Sequence, residues 1–349
     1  MPRIRVLIVD DSAVIRRVVM EELSADPAIE VVGTASNGKI ALARLPQVGP
    51  DLVILDVEMP EMDGLATLKA LRKDYPRLPV IMFSAVTERG ASATLDALTL
   101  GATDYFTKPA GPGGIEDARR VIREELIPEI RAICAPKSLP LPPPAPTGVP
   151  ALPNKGRIEV VVVGLSTGGP NALAEVFAGL PAQLPVPILI VQHMPPMFTR
   201  LLAERLAAAT RQLVAEAEHG ADVLPGRTLI ARGDYHMTVA RDGLRVRALL
   251  DKDPPENSCR PAVDPLFRSA AAVYRSGVLA VVLTGMGRDG LRGCEVVREA
   301  GGQILAQDEA TSVVWGMPGY VARAGLADKV LPLSAIAGEI ARRVGSARP

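Results

Sequence analysis

Short apolar runs recur along the chain, and amphipathic stretches separate them. In the first third, Ile4–Val9, Glu30–Ala35, Leu52–Asp56, Val80–Ser84 and Asp104–Thr107 read as strands. Apolar positions three and four apart predict helices near Val14–Leu23, Lys39–Leu45, Leu65–Lys73, Ala91–Leu100 and Ile115–Ile133. Strands buried on both faces read as continuous apolar runs, so this β-α alternation predicts a parallel sheet covered by helices. The alternation resumes with Glu159–Val163, Ile188–Val191, Val278–Leu283 and Gln303–Ala306 as buried strands. Between them, Thr228–Leu250 reads as an antiparallel insert turning at Asp242-Gly243.

One stretch breaks the pattern. Prolines at 136, 140, 142, 143, 144, 146, 150 and 153 remove backbone donors and fix φ, so neither a helix nor a central strand forms there. Such a segment is an extended, semi-rigid spacer. The chain of 349 residues therefore divides into a domain over 1–134, a linker over 135–157 and a second α/β domain over 158–349.

Composition narrows the classes of function. Lys+Arg and Asp+Glu are both 39, and aromatics are 3%, which argues against a general nucleic-acid or membrane-surface binder. Cys134, Cys259 and Cys294 are scattered without CxxC spacing and read as reduced thiols. Paired carboxylates follow the first ten residues, unlike a signal peptide, and no apolar stretch reaches the roughly 18–20 residues of a membrane span. The expectation is a cytoplasmic protein without membrane insertion.

Polar residues gather where strands end, which is where parallel sheets place ligand sites. In the first domain Asp10 and Asp11 close the first strand, Asp56 the third and Ser84 the fourth, while Lys108 follows the fifth. One aspartate there caps a helix. Three converging carboxylates repel one another unless a cation neutralises them, and hard oxygen ligands suit Mg²⁺. Lys108 and the Ser84 hydroxyl could then grip phosphate oxygens. The motifs VLIVDDSAVIRRV, DLVILDVEMPEMDGL, VIMFSA and DYFTKPA resemble the receiver domain of two-component response regulators over about the first 125 residues. The resemblance implies a flavodoxin-like five-stranded sheet, with Asp56 phosphorylated by a histidine kinase. It also implies Mg²⁺ on Asp11, Asp56 and the Glu58 backbone carbonyl with Asp10 nearby, and Ser84 and Tyr105 as the switch pair.

In the second domain VVVVGLSTGGPNAL runs from strand through a glycine-rich turn into a helix, with Ser166 on the turn. By local pattern this serine is equally a phosphate-loop residue or an exposed nucleophile. Of the three histidines, His219 lies in a polar turn, and His236 either sits in a strand or lines the cleft. His193 follows the strand ILIVQ, at the same kind of strand end as Ser166, which suits a general base. Asp289, after the next buried strand, would orient that imidazole or cap the helix near Gly290, and both roles are compatible. Asp264 and Asp308 are weaker candidates. Gly164-Leu165-Ser166-Thr167-Gly168 matches the G-x-S-x-G elbow, but the order Ser, His, Asp excludes the α/β-hydrolase fold and not the chemistry. Gly285–Gly290 matches G-x-G-x-x-G, yet a dinucleotide unit normally opens its domain, and here several elements precede it.

GLSTGGPNAL, ILIVQHMPPMFTRLLAERL, RPAVDPLFRSAA, VVLTGMGRDGLRG, AQDEATSVVWGMP and GLADKVLPL resemble the catalytic domain of chemotaxis protein-glutamate methylesterases, from about Glu159 onward. The resemblance implies a doubly wound domain with a Ser166–His193–Asp289 triad, without cofactor, that hydrolyses γ-glutamyl methyl esters of chemoreceptors and deamidates receptor glutamines. It implies that Thr167 and Met286 line the cleft or the oxyanion site. Arg232 stands where proline is expected and Cys259 where histidine is common, which bears on substrate preference. The rival reading is a response regulator whose second domain is a non-catalytic partner-binding module.

Overall fold

Apolar runs become central strands, and the polar residues after them become loop ends on one side of each sheet. The computed structural model describes residues 3–85, 87–108, 114–136, 156–210 and 212–345. The chain divides into two compact units, Met1–Pro136 and Lys137–Pro349. The expected proline-rich spacer lies, from 137 to 155, outside the described residues.

In the first unit β1 (Ile4–Val9), β2 (Ile29–Ala35), β3 (Leu52–Asp56), β4 (Val80–Ser84) and β5 (Asp104–Thr107) form a parallel sheet in the order β2-β1-β3-β4-β5. The connecting helices are α1 (Ala13–Ala25), α2 (Gly38–Val48), α3 (Gly64–Asp74) and α4 (Glu88–Thr99). Ser12, Asn37, Asp63 and Thr87 accept N-cap hydrogen bonds at the starts of α1 to α4. The last helix, expected as one piece, is α5 (Gly114–Val121), a π-helical turn (Ile122–Leu126) and α6 (Ile127–Cys134). Pro128 has no amide hydrogen to donate to the turn before it, and the turn takes up that break. Val6, Ile8, Leu52, Ile54, Ile81 and Phe83 pack against Leu126 and Ile130 in one core.

The second unit carries β6 (Val160–Leu165), α7 (Gly169–Gly179), β7 (Ile188–Gln192), α8 (Phe198–Ala209), β8 (Leu213–Glu216), β9 (Ala221–Asp222) and β10 (Arg227–Ile230). The hairpin β11 (His236–Asp242) and β12 (Arg245–Asp251) follows, then α9 (Val263–Tyr274), β13 (Val278–Val282), α10 (Leu291–Glu299) and β14 (Gln303–Gln307). α11 (Met317–Arg323), β15 (Lys329–Leu331) and α12 (Leu333–Gly345) complete it. Seven strands form a sheet in the order β15-β14-β13-β6-β7-β10-β8, and β11-β12-β9 form a smaller one. The insert expected over Thr228–Leu250 is therefore shorter than its pattern suggested. Thr228–Ile230 pairs in parallel with Ile188–Ile190, because this buried apolar run suits a two-sided sheet. The antiparallel part begins at His236, and it turns at Gly243-Leu244.

No helix among the described residues is long and apolar enough to cross a membrane.

Candidate active site and carboxylate pocket

Strand order decides where chemistry can gather. In the first sheet the chain departs from β1 toward β2 on one side and β3 on the other, leaving a crevice at their carboxyl ends. Asp10 and Asp56 stand there, both buried. Lys108 Nζ lies 2.8 Å from Asp10 Oδ2 and 2.8 Å from Asp56 Oδ2. These two carboxylate oxygens have the lysine within reach but make no well-angled hydrogen bond, so each keeps acceptor capacity in a buried place. Ligand oxygens of Asp10, Asp11 and Asp56 all lie within 4.8 Å of one another. A cavity of about 200 Å³ lined by Asp11, Asp56, Glu58, Ser84 and Lys108 opens beside them. Under-satisfied hard oxygens beside a small polar cavity fit a divalent cation such as Mg²⁺.

Burial pushes the Asp56 carboxyl up to about 6, with Asp10 adding to the rise and Lys108 opposing it. At neutral pH Asp56 is thus ionised yet poorly solvated, which favours nucleophilic character in a carboxylate. Burial alone would lower Lys108, but Asp10 and Asp56 outweigh it and keep the ammonium charged. Ser84 is buried at the end of β4 and donates to the Ala85 carbonyl at 3.3 Å. Tyr105 is partly exposed, yet its hydroxyl is enclosed. Burial, with Asp104 and Glu129 nearby, holds it well above the usual phenol range.

The second crevice forms where β7 flanks β6 on one side and β13 on the other. Leu165 pairs with Gln192, so the next residues, Ser166 and His193, are lateral neighbours just past the strands. The Gln192 side chain fastens both: Nε2 donates to the Ser166 carbonyl at 3.0 Å and to the His193 carbonyl at 3.3 Å. Ser166 N–H donates to Thr284 O, which brings the loop after β13 alongside. Glycine at 285 is required by this approach, since a Cβ there would stand 2.8 Å from Ser166 Cβ. Gly168, at φ 74°, turns the chain into α7.

His193 Nε2 lies 2.8 Å from Asp289 Oδ2. A carboxylate only accepts, so Nε2 carries the hydrogen and the Nδ1 lone pair is the basic position. Cys259 Sγ sits 3.4 Å from that Nδ1. Among the described residues no hydrogen bond joins the Ser166 hydroxyl to either ring nitrogen. Burial would lower the His193 pKa, but the negative charge of Cys259 and Asp289 outweighs it and raises the group to about 10. The share from Cys259 exists only while its sulphur is a thiolate, whereas Asp289 contributes throughout the neutral range.

Asp289 is held by a network the sequence only half suggested. Oδ2 also accepts from Val263 N at 2.6 Å, and Oδ1 accepts from Asp264 N at 3.1 Å, Gly290 N at 2.9 Å and Asn257 Nδ2 at 3.0 Å. Of the two roles expected, the contact that orientation of His193 would need is present. The helix it caps is α9, distant in sequence, and not the one near Gly290, whose own cap is Gly290. Burial would raise this carboxyl, but His193 and the α9 amides outweigh it and hold it below the usual range. Asp264 lies one step behind, accepting from Gly293 N at 2.6 Å and from Asn257 Nδ2 at 3.0 Å. Asp308 caps a turn at Thr311, and His219 contacts the Leu250 backbone. His236 is fully buried, accepting from Ala262 N at Nδ1 and facing Pro254 O at Nε2, so it is structural. Thr167 is buried and Met286 exposed. Their backbone N–H groups have no acceptor among the described residues. Asn257, which joins two carboxylates, escaped sequence reasoning because it sits on an irregular turn with no periodic signal.

Together these features define a receiver-type switch domain and a hydrolase-type domain built on a serine–histidine–aspartate cluster. The model of the response regulator receiver domain matches residues 6–120, and that of the CheB methylesterase matches residues 161–340. A protein-glutamate methylesterase/protein-glutamine glutaminase of Trichodesmium erythraeum is 56% identical, covering 99% of this chain and 100% of its own length. One from a Nocardioides species is 52% identical over 100% of this chain and 98% of its own. The crystal structure of the Thermotoga maritima CheB methylesterase catalytic domain, at 44% identity and TM-score 0.52, covers 54% of this chain and 99% of that one. The chain belongs to the CheB methylesterase family, enzymes whose hydrolase domain is joined to a receiver.

Proposed function

We propose that Ser166, His193 and Asp289 remove methyl groups from γ-glutamyl methyl esters of chemoreceptors and deamidate receptor glutamines. Asp56, phosphorylated by a histidine kinase, sets the rate. The observation that carries this reading is the 2.8 Å contact of His193 Nε2 with Asp289 beside Ser166 on the next strand end. As Ser166 Oγ attacks the ester carbonyl, His193 Nδ1 takes its proton and then returns it to the departing methoxide, releasing methanol. Water repeats the cycle on the acyl-enzyme and leaves glutamate. Asp289 keeps the hydrogen on Nε2 and stabilises the imidazolium without accepting a proton. The free N–H groups of Thr167 and Met286 receive the oxyanion. Thr167 follows the serine directly, the usual place for such a donor.

In the receiver, Mg²⁺ on Asp11, Asp56 and the Glu58 carbonyl would neutralise charge on the incoming phosphoryl group. Asp10 stands beside it, Lys108 grips a phosphate oxygen, and Ser84 with Tyr105 relays occupancy to the outer face. Methanol release from methylated chemoreceptor should rise at least about fivefold with acetyl phosphate and Mg²⁺, the lower range of ordinary coupling energies. Asp56→Asn should abolish that rise and leave the basal rate in place. A variant that still responds to the phosphodonor would remove Asp56 from the switch.

The pH profile separates this base from an ordinary histidine. Its neutral form is lost as pH falls through a raised pKa, so the acid limb of kcat/KM lies above the 6.5 of an unperturbed imidazole. Cys259→Ala removes a neighbour that raises His193, and the limb should move toward lower pH. A limb at 6.5 in both proteins would show that neither Asp289 nor Cys259 raises this base.

A further inference from the structure

We propose that Cys259 is a modification site for hydroperoxides, through which oxidation of one thiol switches the esterase off. The proposal rests on His193 being the esterase base. It starts from the occupant of Nδ1: in this structure the thiol of Cys259, at 3.4 Å, holds the position from which the serine proton would be taken. Cys259, His193 and Asp289 thus line up as thiol, imidazole and carboxylate, the arrangement that activates a cysteine.

The turn that carries Cys259 holds it there. Backbone hydrogen bonds run both ways between Glu256 and Cys259, at 3.2 and 2.9 Å. Asn257 and Ser258 take positive φ values of 51° and 65°, and the Asn257 amide is anchored on both Asp264 and Asp289. This anchored turn therefore sets the sulphur against the imidazole.

The other thiols lack these conditions. Cys294 is fully buried, and burial first, then Asp264 and Glu295, hold it protonated. Burial, with Asp51 adding, pushes Cys134 up to about 12, and no histidine contacts it among the described residues. Cys259 alone of the three combines partial exposure with a histidine at its sulphur.

The chemistry balances without a cofactor. His193 Nδ1 takes the thiol proton, and the thiolate attacks the nearer peroxide oxygen. The S–O bond forms as the O–O bond breaks, and the departing hydroxide takes the proton from imidazolium and leaves as water. Sulphur is oxidised by two electrons to the sulfenic acid, and peroxide is reduced by two. The sulfenic O–H forms on the sulphur that already faces Nδ1 and can donate to that lone pair, so His193 is no longer free to take the Ser166 proton. An external dithiol reverses the change by forming a mixed disulfide and then reducing it.

The test uses the full chain. Hydrogen peroxide is added and then removed with catalase. Methanol release is followed before treatment, after it and after dithiothreitol, while dimedone adducts are mapped by mass spectrometry. The expected result is a dimedone adduct on Cys259 and a roughly hundredfold loss of rate, the scale of losing a general base, restored by dithiothreitol. Cys259→Ala should keep its own untreated rate within about twofold, and Cys259→Ser serves the same purpose if the alanine variant folds poorly. An unmodified Cys259, or an equal loss in the Cys259→Ala variant, would overturn the proposal. Should untreated protein release no methanol, the esterase reading fails, and the adduct on Cys259 still decides whether this thiol is the reactive one.

Discussion

Ser166→Ala should lower methanol release from methylated chemoreceptor by about 10⁴–10⁶-fold, leaving only what binding and the oxyanion donors supply. The size of the loss follows from the division of labour in the crevice. In the proposed reaction His193 and Asp289 raise the nucleophilicity of a hydroxyl, so removing that hydroxyl leaves the pair with nothing to act on. Stability should change by no more than about 0.5 kcal/mol, because the hydroxyl makes no hydrogen bond among the described residues. The backbone contacts that place residue 166, to Thr284 O and from Gln192 and Gly169, do not need the side chain. A folded variant with normal thermal unfolding and no turnover is therefore the expected outcome. If Ser166→Ala kept more than about a tenth of the rate, well outside the range for a lost nucleophile, the nucleophile would have to be another group. Cys259 is then the candidate, since it already faces the same imidazole. The double variant Ser166→Ala/Cys259→Ala would decide it.

How much of this site could be read from the sequence depends on the range of the forces involved. Asp10, Asp56, Lys108, Ser166 and His193 are legible because each follows an apolar run long enough to be a central strand, and parallel topology puts all such ends on one side. The five receiver strands were readable for the same reason: Ile4–Val9 and Leu52–Asp56 form strands where their apolar runs lie, and in the sheet Val6 stands opposite Leu52. The Thr228–Ile230 strand was misread because its apolar run is short and sits against a hairpin pattern. Only its pairing with Ile188–Ile190 shows which sheet it joins. Asn257 had no signal, since its partners lie 7 and 32 residues away and a single amide on a turn carries no period. The capping role of Asp289 was legible in kind but not in target. A carboxylate can cap a helix that arrives from elsewhere in the chain, and α9 begins 26 residues earlier. Cys259 stood out as a departure from the family pattern, but its place against Nδ1 depends on the turn closed by Glu256.

Asp289→Asn should cost both catalysis and stability, and the two losses have different causes. An asparagine amide has one acceptor oxygen and one donor nitrogen, whereas Asp289 accepts five hydrogen bonds with its two oxygens. With the nitrogen toward His193, the amide donates to Nε2 and drives the ring hydrogen to Nδ1, the position that must stay basic. That tautomer change costs about 10⁴ in kcat where it has been isolated in a serine hydrolase. The same nitrogen then opposes Val263 N–H. With the nitrogen turned the other way, it opposes Asp264 N–H, Gly290 N–H and the Asn257 amide. Either orientation sets donor against donor in a buried place, at roughly 1.5–3 kcal/mol for each lost bond to the charged group.

The stability loss should also depend on pH. The folded protein holds Asp289 below the ordinary carboxylate range, so its contribution is fully present above an unfolded pKa of about 3.9. It fades as pH falls through the lower folded value. The gap in unfolding free energy between wild type and Asp289→Asn should therefore be full at pH 7 and narrow on acidification. Removing the same charge also lowers the His193 pKa, so residual activity in the variant should extend to lower pH than in wild type. Chemical denaturation and pH–rate profiles of the two proteins test both points. A variant within tenfold of wild-type kcat, with an unchanged acid limb, would mean that the α9 amides alone position the base and that Asp289 has no electrostatic part in the reaction.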